Sequence, residues 1–320
     1  MLDVFITVDV EVWCDGWQDI DARFPAAFER YVHGPTAAGA HGLPLLLRVL
    51  GDHGLTGTFF VEPLFSTRFG SQPLAEIVGL IRQARQDIQL HLHTEWVDEA
   101  RTPLLDYVRG KRQHLRDFSL ADQTRLIAIG KRLLAEAGAD TPTAFRAGNF
   151  GFNRDSLTAL ANNALFVDAS YDAALSGLDS GVLPGVAVVE PMRCDGVVEC
   201  PMTVFADGTR RLRHVQLGAC SFAEIEGLLW SALRDRRKAF VLLLHNFELL
   251  NRAKDAADPV VVRRFRHLCR FLERHRDSFR VRGFDGPPLA TVDEQPRPLA
   301  SPAWKTGGRM LEQLTRRAWG

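Results

Sequence analysis

Cysteine is scarce in this 320-residue chain and never closely spaced: Cys14, Cys194, Cys200, Cys220 and Cys269 form an odd set without a CxxC pair. That excludes a zinc knuckle and a disulfide framework, and it fits reduced, individually packed thiols. An excess of either charge is also missing, with 39 Lys plus Arg against 39 Asp plus Glu. Without a basic field, no nucleic acid partner is expected. There is no apolar run long enough to span a bilayer, and the opening MLDVFITVDV has neither a basic start nor a small-residue cleavage site. A cytoplasmic protein is the expectation. No internal repeat or low-complexity stretch is evident.

What the chain does have is rhythm. It is 46% hydrophobic, enough for one large core, and strand-like runs (VFITVDV, TGTFFVE, DIQLHLH, TAFRAG, LFVDASY, VVECPMTVF, KAFVLLLHNF, FRVRGF) alternate with stretches of helical spacing. The spacing predicts helices over 43–50, 74–85, 121–137, 154–162, 222–236 and 260–275. Such alternation implies an α/β fold with a parallel sheet, open or closed into a barrel, whose functional residues gather at the carboxyl ends of strands. Two long inserts, 14–42 and 95–119, carry aromatics and arginine as loops over a cleft do. After residue 285 the composition turns to Pro, Ala and polar residues. The reading is therefore one main domain, 1–285, followed by a linker and a basic amphipathic tail, 286–320.

Polar residues that end apolar strands are the candidates for chemistry. On a strand, residues two apart share a face, so Asp9 and Glu11 in TVDVE project together, and so do His91 and His93 in QLHLHTEW, with Glu95 just beyond. Imidazole and carboxylate suit Zn, Co or Ni, and a catalytic site uses about three protein ligands with one position open for water. His245 closes the most apolar strand, and Arg146 and Asn149 follow another in TAFRAGNFGFN. Each of these taken singly also fits a bland role, such as a strand-end cap, a core histidine or a rim ion pair. The ordered set of strand ends does not. Trp13, Trp17 and Trp96 flank these positions and offer stacking faces for sugar rings, although loop tryptophans are as often simply packed. The remaining histidines and the Arg-rich run RRFRHLCRFLERHR fit solvated faces.

In this order the motifs resemble the polysaccharide deacetylase family, the NodB-homology enzymes of carbohydrate esterase family 4, from about Val4 to Phe284. TVDVE, GLTGTFFVEP, DIQLHLH, FRAGNFGFN and LLLHNF carry the likeness. The resemblance implies a distorted (β/α)7-type barrel of parallel strands with helices outside, and hydrolysis of an N-acyl group, acetyl or formyl, from a sugar in surface-polysaccharide or glycan biosynthesis. It makes Asp9 the catalytic base, Arg146 the residue that orients it, and His245 the general acid. It implies a divalent metal, Zn with Co or Ni as alternatives, held by Glu11, His91 and either His93 or Glu95. The commonest family pattern has a second Asp where Val10 stands, and an HxxxH where this chain has HxH. Trp13, Trp96 and Asn149 are the expected substrate contacts. The expected partner is an acylated sugar, with a nucleotide or lipid carrier as options, and the segment from Trp304 to Trp319 is read either as a peripheral membrane contact or as a disordered or packed tail. Two rival readings are a barrel glycosidase drawing a second acid from Glu190, Glu199 or Glu248, and a non-catalytic glycan-binding relative.

Overall fold

The opening strand, Leu2–Val10, is buried at all nine positions, as a strand covered on both faces must be. Its alternating Val, Phe and Ile side chains fill that role. The structure, a computed structural model, describes residues 1–319 apart from Arg109 and Ser176, with the side chains of Thr315, Arg317, Ala318 and Trp319 outside the description. The chain packs as two compact units, one of Met1–Gly57, Thr203–Gly283 and Pro296–Gly320, the other of Thr58–Met202 and Phe284–Gln295.

In the first unit, Leu2–Val10 pairs in parallel with Ala239–His245, in a register that sets Asp3 beside Ala239 and Asp9 beside His245, and with Phe279–Val281. The helices Leu43–Asp52 and Phe222–Arg234 each pack against Pro259–Arg274. Ser221 and Glu224 form a reciprocal cap on the second of these helices, and Asp258 caps the third. A small sheet of Val204–Ala206, Leu212–His214 and Leu299–Ala300 lies alongside in sequence. The segment read as a tail ends in the helix Ala303–Trp319, whose inward face is polar. Arg309, 3% exposed, bonds Asp207 at 3.0 Å and Glu224 at 3.1 Å, while Arg264 pairs with Glu312 at 2.8 Å. The outward face is apolar, with Trp304, Met310, Leu311 and Leu314 exposed. Trp319, named with the tail, falls outside the described side chains. Among the described residues no helix is long and apolar enough to cross a membrane.

In the second unit the parallel strands Thr58–Val61, Asp87–Leu92, Ala144–Ala147, Val167–Asp168 and Val197–Glu199 lie in that order, with Met192–Cys194 antiparallel at the edge. Helices Ser71–Gln83, Leu120–Glu136 and Arg154–Asn162 follow successive strands, the last begun by an Asn153–Ser156 capping box. Parallel strands with helices between them put the chain in the distorted (β/α)-barrel class expected from the sequence.

Candidate active site

The first unit brings Asp9, Glu11 and His245 together: their donor atoms lie within 4.8 Å of one another. The cause is register, because parallel pairing of Asp9 with His245 carries both to the same strand end. Asp9 is 4% exposed and Glu11 7%. Asn246, fully buried, locks the end of the first strand: its Oδ1 accepts the Glu11 N–H at 3.0 Å, and its Nδ2 donates to the carbonyls of Glu11 and Tyr31. Trp13 Nε1 donates to Glu11 Oε2 at 2.7 Å, and its ring meets Trp17 edge-on at 6.0 Å.

His245 Nδ1 lies 3.1 Å from Glu248 Oε2. Glu248 is itself held by Gln216 Nε2 and by the Gly218 N–H. Burial acts to lower the His245 pKa. The Glu248 hydrogen bond and the charges of Glu11, Glu248 and Asp9 outweigh it and push the imidazole up to about 9. A protonated histidine beside Asp9 and Glu11 is the outcome. Glu248, weighed from the sequence only as a second glycosidase acid, reaches His245 through a turn that folds it back by three residues.

In the second unit, parallel pairing sets His91 beside Arg146, and the His91 and His93 rings lie 4.8 Å apart at 82°. His91 Nδ1 is 2.8 Å from the Arg146 carbonyl oxygen, which can only accept, so Nδ1 carries the proton and Nε2 is the nitrogen that could serve as a ligand. His93 Nδ1 is 3.2 Å from Glu95 Oε2, and Glu95 Oε1 accepts from Asn149 Nδ2 at 2.9 Å. Burial would raise the Glu95 pKa; the hydrogen bond and charge of His93 prevail and hold it below its usual value. Glu95 thus orients His93. Gly148 permits this contact, for a Cβ there would sit 2.7 Å from His93 Nδ1. The buried Arg146 guanidinium lies 4.3 Å from the Phe60 ring centroid and donates from Nε to the Ala169 carbonyl. Trp96, expected at the substrate, is 1% exposed and meets Phe69 edge-on, a core position.

Among solved structures, a Mycobacterium smegmatis protein described as a candidate polysaccharide deacetylase matches over 92% of this chain and 95% of its own, at 17% identity and a TM-score of 0.56. The fold is that of the polysaccharide deacetylases. A family 4 carbohydrate esterase from Streptomyces lividans, solved with acetate, also aligns over 92% of this chain and 97% of its own, at 12% identity and a TM-score of 0.46. No protein-family profile and no curated protein matches the sequence. The three carboxylates considered for glycoside hydrolysis stand in different settings. Glu248 holds His245, Glu199 is fully buried against Asp168, and Glu190 is 2% exposed.

Proposed function

We propose that the protein is a metal-dependent hydrolase that removes an N-acyl group, acetyl or formyl, from a sugar carried on a nucleotide or lipid in surface-polysaccharide synthesis. The observation that carries this reading is Asp9 in register with a His245 that Glu248 keeps protonated, a base and an acid at adjoining strand ends. Glu11, His91 and His93 are assigned as metal ligands, and each of the three is buried. Their chemistry fits. Each imidazole commits its Nδ1 to an oxygen, the usual arrangement of a ligating histidine, and one carboxylate with two imidazoles suits Zn, Co or Ni. When bound, such an ion polarises the acyl carbonyl and lowers the pKa of water.

Asp9 takes a proton from the attacking water as the water oxygen adds to the acyl carbon. Arg146 is assigned the positioning of that base, and backbone N–H groups around Asn149 are assigned the oxyanion. The C–N bond then breaks as His245 gives its Nε2 proton to the departing nitrogen. A carboxylic acid and a free amine result. Trp13, fixed by its bond to Glu11, offers its ring to the sugar.

A cytoplasmic site of action with peripheral membrane contact completes the proposal. The outward apolar face of the Ala303–Trp319 helix supports it, since Trp and Leu favour the interface where a lipid-carried sugar resides. The test is acetate and formate release from acylated sugars by the metal-loaded protein. Asp9→Asn is expected to slow release about 100-fold or more, the usual contribution of a general base. Wild-type turnover in that variant would overturn the assignment.

A further inference from the structure

Beside His245 an aromatic wall ends in a lysine. His245 stacks on Phe247 with ring centroids 5.3 Å apart at 29°, and Phe247 meets Tyr31 edge-on at 5.1 Å. Lys254 Nζ lies over this wall, 4.5 Å from the Tyr31 centroid and 5.3 Å from that of Phe247. The wall is anchored to the catalytic strands through Asn246, which bonds the Tyr31 carbonyl as well as both backbone groups of Glu11. The lysine is anchored too. Residues 250–257 form a closed turn, bridged from Leu250 to Ala257, with Asn251 bonding Asp255 and the Ala256 N–H. Lys254 sits in this turn with its N–H donated to the Asn251 carbonyl.

The neighbouring charges are matched except for Lys254. Asp15 is satisfied by Arg30 at 2.5 Å and by the Tyr31 hydroxyl at 2.9 Å. Among the described residues the Lys254 ammonium makes no hydrogen bond or ion pair; its contacts are the two ring faces. Half-burial lowers its pKa, with Asp15 acting the other way. A cation held on a rigid apolar wall, with no protein carboxylate claiming it, is arranged for an anion brought by a ligand.

We infer that Lys254 forms an anion subsite next to the catalytic imidazole, which takes a phosphate or carboxylate group borne by the acylated sugar. The inference rests on the reading that this sugar lies against His245. Neutral acylated sugars then lack one of the contacts the site offers.

The test is calorimetric binding with chelator present, so that no metal takes the anion. The probes are N-acetylglucosamine, N-acetylglucosamine 1-phosphate and N-acetylmuramic acid. The wild-type protein is expected to bind at least one anionic sugar about tenfold or more tightly than the neutral one, the worth of a charge-assisted contact. The phosphate and carboxylate arms say which anion it prefers. Lys254→Gln is expected to erase the preference and Lys254→Arg to keep it, with thermal midpoints near wild type because the residue lies on a half-exposed turn. Equal binding of all three sugars, no binding of any, or a preference that survives Lys254→Gln would overturn the inference. An intact, Lys254-dependent preference in a protein that releases no acyl group would support the subsite and reject the deacylase reading instead.

Discussion

Replacing Glu199 with glutamine is expected to remove much of the stability loss that the second unit suffers as pH rises. Asp168 and Glu199 are register partners on adjacent parallel strands, both 0% exposed and hydrogen-bonded to each other. Asp168 Oδ2 and Glu199 Oε2 have no other partner, and two carboxylate oxygens can bond only through a proton. The pair is therefore one acid and one anion. Burial, then the charge of Asp168, pushes Glu199 well above 4.5. Burial likewise raises Asp168 from 3.8 to about 6, against hydrogen bonds from Glu199 and Ser170 and the charge of Arg146. Both folded pKa values exceed the unfolded ones, so the stabilising contribution is complete below about pH 4 and is lost as pH climbs through the folded values. At about 1.4 kcal/mol per unit, the Asp168 window alone is worth roughly 3 kcal/mol. Loss from Glu199 continues above it. Glutamine supplies an N–H to Asp168 with no proton to lose. Urea unfolding between pH 5 and 9 checks this: the wild-type free energy should fall across the range, and Glu199→Gln should be flatter and no less stable at pH 9. Glu199→Ala should be weaker throughout by about 1–3 kcal/mol, the cost of a buried acceptor left unsatisfied. Parallel wild-type and Gln curves would refute the shared proton.

Three further outcomes follow from single contacts. Glu248→Gln removes the hydrogen-bonded charge that does most to keep His245 protonated, so the alkaline limb of kcat/KM, near pH 9 in the wild type, should move towards neutrality. Activity at pH 8 should drop about tenfold while activity at pH 6 changes little, as a pH-rate profile reads directly. Gly148→Ala pushes a methyl against His93 Nδ1, so metal affinity measured by competition with a chelator should fall about 10–100-fold, the effect of disturbing a ligand's orienting shell. Arg309→Ala strands Asp207 and Glu224 as buried carboxylates and should cost about 3–5 kcal/mol in denaturant unfolding.

The strands that carry chemistry were legible because burial on both faces demands continuous Val, Ile, Leu and Phe, and their ends are marked by abrupt polarity: Asp9, His91, Arg146 and His245 all stand where expected. Helix 154–162 was read to the residue, because Asn153 and Ser156 write its start into the sequence. VVECPMTVF was read as one strand and is two, Val197–Glu199 and Val204–Ala206, because Pro201 cannot donate to a ladder. The insert 14–42 hides the helix Ile20–Phe28, whose buried Ile20, Phe24, Ala27 and Phe28 are scattered among charges and interrupted by Pro25. Which side chains pair with one another was not legible. Nothing in the sequence marks Glu248 as the partner of His245, Glu95 as the partner of His93, or Arg309 as an inward-facing residue on a helix whose apolar side faces out.

Metal content measured beside acyl release is the most direct test of the central claim. Purified wild-type protein and a His91→Ala, His93→Ala double variant are analysed for Zn, Co and Ni, and the same samples are assayed for acetate and formate freed from acylated sugars. The expected result is about one ion per wild-type chain, as a single three-ligand site requires, with release, and loss of both in the variant. Undiminished release from the metal-free variant, or a wild-type protein that after loading with Zn, Co or Ni neither retains the ion nor frees an acyl group, would contradict it.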